Sequence, residues 1–343
     1  MKKSHKTVMA CGLLVAFVPL LGVGISVFAD ARLSRSSWQE QFRRPAEIPF
    51  PESDPYSEAK SKLGQMLFFD PILSGSQTRS CATCHNPGLS WGDGQARAIG
   101  EKVLPLRAPS LLNVAWIPKL GWTGHFRDLE SVAFGPITSA GNMNLPEKAL
   151  VERLSAIPGY VDAFDGAFGR GEITRSKIET ALATFERSIV SSEAPFDRWI
   201  KGDEMAISAS AKRGFNLFVG KARCVSCHSG WAFTDASFHD IGTAKDDDIG
   251  RGRLFLKSVK LRYAFKTPTL RDVVRRAPYM HDGSVKTLAA VIDLYDRGGI
   301  ERESRSDMIL PLGLSKGEKA DLINFLQTLN GASASVSIPT LPR

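Results

Sequence analysis

The sequence predicts a mainly α-helical, loop-rich chain of two similar units, and three observations carry that expectation. A C-x-x-C-H motif occurs twice, as Cys81-Ala82-Thr83-Cys84-His85 and as Cys224-Val225-Ser226-Cys227-His228. Each copy follows the end of a helical pattern with the same lead-in, Gly64-Gln65-Met66-Leu67-Phe68 and Gly214-Phe215-Asn216-Leu217-Phe218, and such self-similarity marks a repeated unit. Strand signals are few, and loops punctuated by Gly and Pro fill the rest.

At 343 residues, 43% hydrophobic and 23% charged, the composition is globular and allows two domains. Wholesale disorder and a polytopic membrane protein are excluded. The formal charge of +8 includes Lys2, Lys3 and Lys6 of the leader. No Lys/Arg cluster is interleaved with aromatics, so nucleic acid is not an expected partner.

The chain opens on those lysines, runs apolar from about Val8 to Phe28 and reads Val27-Phe28-Ala29 before Asp30. A basic, apolar and then small-residue succession reads as a secretory signal peptide over 1–29, which places the rest in the periplasm. The alternative is an uncleaved N-terminal anchor, because about 20 apolar residues can span a bilayer. Pro19, Gly12, Gly22, Gly24 and Ser26 soften such a helix. Cys11 precedes the apolar run, where a lipoprotein signal would have it follow. No later stretch is long and apolar enough to cross a membrane, so any membrane contact is through the leader.

Residues 30–55 read as an exposed arm, 56–200 as the first unit, 201–330 as the second and 331–343 as a frayed tail. Ile173, Ile178, Leu182, Phe185 and Ile189 recur at helical spacing after Thr174, an N-cap residue type, and predict the helix that closes the first unit. Ser315-x-x-Glu318 reads as a capping box for a helix carrying Leu322, Phe325, Leu326 and Leu329.

The C-x-x-C-H spacing has a chemical reason. Two thiols about one helical turn apart can add to the two vinyl groups of one porphyrin while the adjacent imidazole reaches the iron. Cys81, Cys84, Cys224 and Cys227 are thus the expected attachment points of two covalently bound haem c groups, and His85 and His228 the proximal ligands. A four-cysteine zinc site would leave both histidines unexplained, a thioredoxin-like pair needs a βαβ context, and a disulfide is indifferent to histidine.

Further segments make the chain resemble the bacterial di-haem cytochrome c peroxidase and MauG family over nearly all of its mature length. They are Leu63-Gly-Gln-Met-Leu-Phe-Phe-Asp70, Ser80-Cys-Ala-Thr-Cys-His-Asn86, Ala108-Pro-Ser-Leu-Leu-Asn113, Phe185-Glu-Arg187 with Pro195-Phe-Asp-Arg198, Phe265-Lys-Thr-Pro-Thr-Leu-Arg271, Ala277-Pro-Tyr-Met-His-Asp-Gly283 and Tyr295-Asp-Arg-Gly-Gly299. The resemblance implies two cytochrome c-like haem domains packed face to face. It implies that the N-terminal haem meets hydrogen peroxide or oxygen, and that the C-terminal haem receives electrons from a small cytochrome c or cupredoxin, or from a protein whose side chain is oxidised. The alternative is a non-enzymatic di-haem carrier or redox sensor.

Carried over residue by residue, the resemblance makes Trp122 the candidate relay between the haems, a core aromatic being the other reading. Pro136 matches the proline near the peroxide-binding face. Val132 and Asn142 stand where the family carries a glutamine and a glutamate, and Asn142 cannot shuttle a proton as a carboxylate does. Efficient peroxidase turnover is therefore not expected. Glu101 stands about where some members supply a sixth-ligand histidine. His125 replaces an arginine and reads either as a distal acid-base group or ligand, or as an exposed histidine without a role. Tyr295 aligns with the distal tyrosine of MauG, with Met280 or a core role as alternatives. His239 and His281 read as hydrogen bonders around the second haem. A calcium ion between the domains is common in the family, but Arg107 replaces its usual asparagine ligand; Asp246-Asp247-Asp248 reads as a solvated loop.

Overall fold

The computed structural model describes residues 35–332 and 336–342; the expected signal peptide, with Cys11, lies outside them. In chain order come α1 (Arg35–Gln41), α2 (Glu58–Phe69), α3 (Cys81–Cys84), α4 (Leu129–Thr138), α5 (Glu147–Ser155), α6 (Pro158–Phe168), α7 (Arg175–Arg187), α8 (Pro195–Ile200), α9 (Ala209–Val219), α10 (Leu288–Arg297) and α11 (Lys316–Gln327). Loops and single 3₁₀ turns join them. Among the described residues, the sheet consists of β1 (Phe238–His239) antiparallel to β2 (Phe265–Lys266), with His239 opposite Phe265. No described helix is long and apolar enough to cross a membrane.

Two helix crossings organise the chain. α7 begins where the Thr174 side chain accepts from Lys177 N, and α11 begins at the expected Ser315/Glu318 capping box. α2 crosses α7 and α9 crosses α11, each pair touching at a glycine. A Cβ at Gly64 would lie 1.9 Å from the Ala181 carbonyl oxygen, and one at Gly214 2.0 Å from that of Asp321. Only glycine lets the backbones approach so closely, which explains why the repeated lead-in starts with it.

The first core gathers Leu63, Leu67 and Phe68 of α2 with Ile178, Leu182 and Phe185 of α7. The second gathers Phe215 and Phe218 of α9 with Leu322, Phe325 and Leu326 of α11. Here three expectations are corrected. The arm is not wholly exposed: Phe42 is fully buried in the second core, 4.8 Å from Phe233 between ring centroids, because a phenylalanine gains more by filling that aromatic cluster than by facing water. α8, expected to end the first unit, buries Phe196 and Ile200 in the second core. The tail returns to the first unit, where Val336 packs on the core and Ser337 O accepts from Gln65 Nε2 at 3.0 Å.

The units face each other about a pseudo-two-fold axis. Arg107 N donates to His281 O at 3.0 Å, and Lys266 N donates to Trp122 O at 2.8 Å. Arg107 and Trp122 precede α4 as Lys266 and His281 precede α10, so this is a self-complementary contact of the kind two-fold symmetry produces. The Trp122 and His281 rings, symmetry mates, lie 6.5 Å apart.

Candidate haem sites and the junction between them

Each attachment motif forms one short turn that aims its histidine inward. His85 Nδ1 lies 3.3 Å from Trp91 O, and His228 Nδ1 lies 2.9 Å from Phe233 O. A carbonyl can only accept, so Nδ1 carries the proton in each ring and Nε2 keeps its lone pair for iron. Burial holds both imidazoles below the usual histidine range, in the neutral state that ligation requires.

No disulfide joins the four motif cysteines among the described residues. Cys81 packs on the first core and Cys224 on the second, so the pairs do not share one zinc ion. The second motif opens on a cavity bordered by Cys224, Cys227 and His228, with Ile292, Leu322 and Leu326 as apolar wall. Two thiols and a neutral imidazole in an apolar cleft are the donor set of haem c, and the residues fit that group.

The pseudo-symmetry separates the two distal sides. α4 is capped by Asp128, which accepts from Ser131 N, and α10 by Thr287, which accepts from Ala290 N. Counting from these caps, Pro136 and Tyr295 occupy the same helical position. Tyr295 borders the second cavity, and so does Met280, whose φ of +70° matches that of its counterpart Gly121 at +75°. Burial, then the Cys224 and Cys227 sulfurs, push the Tyr295 phenol above its ordinary range. Where the second unit offers a phenol, the first offers a proline ring without a donor atom.

Trp122 is half-buried at the junction, bordering the same cavity as His228, with Nε1 donating to Arg107 O at 2.9 Å. His281 stacks on Phe265 and pairs with Asp248 at 2.6 Å, so the expectation of a wholly solvated acidic loop is corrected at Asp248. The reason is that buried His281 needs a partner. His239 Nε2 meets Asp235 Oδ2 at 2.8 Å; donation to that carboxylate, then to the Cys227 sulfur, raises the imidazole to about 10. Both histidines are hydrogen bonders, as expected. Arg107 is buried and donates through Nη2 to Arg276 O at 3.0 Å, placing a fixed positive charge at the junction.

Other expected residues lie apart from the second cavity. Of the two readings of His125 the structure has the exposed one, with the ring 3.8 Å from Phe126 and Nδ1 3.2 Å from Thr123 Oγ1. Gly124, left-handed at φ +68° and pressed against Phe238, turns the chain so that His125 faces outward. Val132 packs on a small cluster of Val114, Leu120, Leu129 and Ala183. Asn142 lies in the turn after α4, its carbonyl accepting from Glu101 N at 2.8 Å. The Glu101 carboxylate turns away to Ser76. Sequence reasoning passed over Glu186, a buried carboxyl on α7; extending the repeat from the lead-in to the closing helix would have exposed it.

Comparison with known proteins agrees with this geometry. Residues 58–205 match the family model described as di-haem cytochrome c peroxidase, and residues 211–330 match the one described as cytochrome c. The methylamine utilization protein MauG of Methylorubrum extorquens is 47% identical over 338 residues, 97% of this chain and 96% of that protein. The protein of the same name from Methylophilus methylotrophus is 47% identical over 93% of this chain and 98% of its own. Among solved structures, a MauG-like protein associated with microbial copper homeostasis superposes with a TM-score of 0.80 at 30% identity, over 86% of this chain and 98% of that one. With two c-type haem sites on two cytochrome c-like domains, the chain belongs to the di-haem cytochrome c peroxidase and MauG family of oxidoreductases.

Proposed function

We propose that this enzyme is an exported, MauG-like oxidase that reduces hydrogen peroxide at the His85 haem with electrons drawn from a side chain of a partner protein. The electrons pass through the His228 haem and Trp122. The balance is one peroxide, two electrons and two protons to two waters. The observation that carries the reading is the unequal pair Pro136 and Tyr295. A haem supplies iron to bind peroxide and to store the electrons that split its O–O bond. Pro136 has no atom to ligate and would leave the peroxide side of the first site open. Tyr295 would hold the iron of the second site, where a phenolate favours oxidised iron.

Asn142 and Val132 offer no carboxyl to hurry peroxide cleavage, which suits an enzyme whose electrons come from a docked protein rather than from an abundant carrier. Trp122 is hydrogen-bonded to the backbone of both units and lies beside His281, which supports it as the residue that passes electrons between them. The 47% identity with two MauG proteins supports the same reading. Export rests on the 1–29 leader and is checked by sequencing the N-terminus of the periplasmic protein.

Two substitutions test the proposal. Trp122→Phe should leave both haems attached but slow the oxidation of the second haem after peroxide reaches the first, as followed by rapid-mixing absorption. An unchanged second-haem signal would remove Trp122 from the path. Tyr295→Phe should change the ferric spin state of the second haem without loss of cofactor. If that spectrum does not move, Tyr295 is a packing residue and Met280 becomes the ligand to test.

A further inference from the structure

The pseudo-symmetry extends to the helices that cover the haems, and at one position it pairs unlike residues. Gly64 meets Ala181 and Phe185 as Gly214 meets Asp321 and Phe325. The residue after Phe185 is Glu186, and the residue after Phe325 is Leu326, which lines the second haem cavity. By that correspondence Glu186 forms the same part of the wall around the first haem. Its carboxyl is close enough to act electrostatically on the Cys81 thiol, one of the attachment points.

Glu186 is 8% exposed, and its Oε2 has no hydrogen-bond partner. The adjacent cation does not supply one, because both terminal nitrogens of Arg187 are spent on Glu130 of α4, at 2.7 and 2.9 Å. The charged groups acting on Glu186 are Arg187 from its own helix and Glu130 from α4. α2 packs on α7 through apolar side chains, with Phe68 5.2 Å from Phe185. Burial pushes the Glu186 carboxyl up to about 8, with Arg187 opposing and Glu130 adding to the rise. Burial thus favours its neutral form around pH 7. The second site, with leucine there, has no equivalent.

We propose that Glu186 is the redox-linked proton carrier of the first haem, holding a proton while that iron is reduced and releasing it to solvent when the iron is oxidised. On oxidation one electron leaves the iron and one proton leaves the carboxyl, so the net charge of the site is unchanged; reduction reverses both transfers. A carboxylate in the wall of that site would favour the more positive oxidation state, and a neutral acid would not. Rising pH therefore favours the oxidised form and lowers the midpoint potential. The proposal rests on haem attachment at Cys81, Cys84 and His85 and not on peroxide chemistry, so its failure would leave the proposed function standing.

Spectroelectrochemical titration of the full two-haem protein between about pH 6 and about pH 9 is the test, in the wild type, in Glu186→Gln and in Glu186→Leu. The first haem of the wild type should shift towards tenfold in its redox equilibrium per pH unit, about 59 mV for one electron. Both variants should lose that dependence while the second haem titrates as before. Glu186→Leu copies Leu326, and Glu186→Gln keeps the shape of the side chain, so the two guard against a folding artefact. A slope that persists in either variant, as propionate titration would give, overturns the proposal. So does a wild-type first haem with no slope in this range.

Discussion

Replacing Cys224 and Cys227 together by alanine is expected to give a protein that carries one covalent haem and has lost the fold of its second unit. Both thioether bonds to that haem would be gone. His228 alone would then have to hold a cofactor whose apolar wall includes Leu322 and Leu326. Those side chains belong to the same core as Phe215, Phe218 and Phe325, so an empty cleft is a defect in the core itself. A cavity left by a single large side chain costs about 2–5 kcal/mol, against a typical domain stability of about 5–15 kcal/mol. A void the size of a porphyrin exceeds that margin. Mass spectrometry of denatured protein should show two haem additions in the wild type and one in the double variant. Limited proteolysis should cut the second unit first. Two haems retained after the double substitution would overturn the assignment of both motifs.

Asn142→Glu is expected to raise the rate of reaction with peroxide by about 10²–10⁴-fold, the usual contribution of a positioned general acid-base group. The turn that carries Asn142 is held by its backbone. Asn142 N donates to Ser139 O at 2.9 Å, its carbonyl accepts from Glu101 N, and Met143 N donates to Pro136 O at 3.1 Å. Gly100 packs directly on the Asn142 Cα. A new carboxyl therefore changes the chemistry of the side chain and not the course of the chain. Rapid-mixing measurement of haem oxidation decides the matter, with His125→Ala as a control expected to leave the rate unchanged because that ring is exposed. If the wild type already reacts as fast as Asn142→Glu, the proton path does not run through this turn.

The haem attachment sites are legible in one dimension because their chemistry is local. Two thiols and an imidazole must sit within one turn, and that spacing survives whatever the rest of the chain does. The closing helices are legible for a similar reason. Thr174 and Ser315 cap them, and a caps-plus-period pattern is a property of neighbouring residues. The repeated Gly64 and Gly214 lead-ins are visible too, although the reason for the glycine, a carbonyl less than a Cβ contact away on the crossing helix, belongs to the packed structure.

What the linear pattern misplaced are features set by partners distant in the chain. The fate of Phe42 depends on an aromatic cluster built from Phe196, Phe215 and Phe233, and the fate of the tail on a groove of the first unit. His125 left two readings open because it neighbours Trp122, and only the structure, with the left-handed Gly124 before it, leaves its side chain exposed. Glu186 reads as an ordinary helix residue until the pairing of α2 with α7 and of α9 with α11 places it opposite Leu326.

The amino-acid order alone specified how many haems the chain holds and where two helical units begin to repeat, since motif spacing and helix capping act within a few residues. The face-to-face docking and the exchange of Arg107 and Lys266 hydrogen bonds across it were decided only in three dimensions. Each depends on two segments far apart in sequence meeting at one place, and no local pattern encodes the meeting.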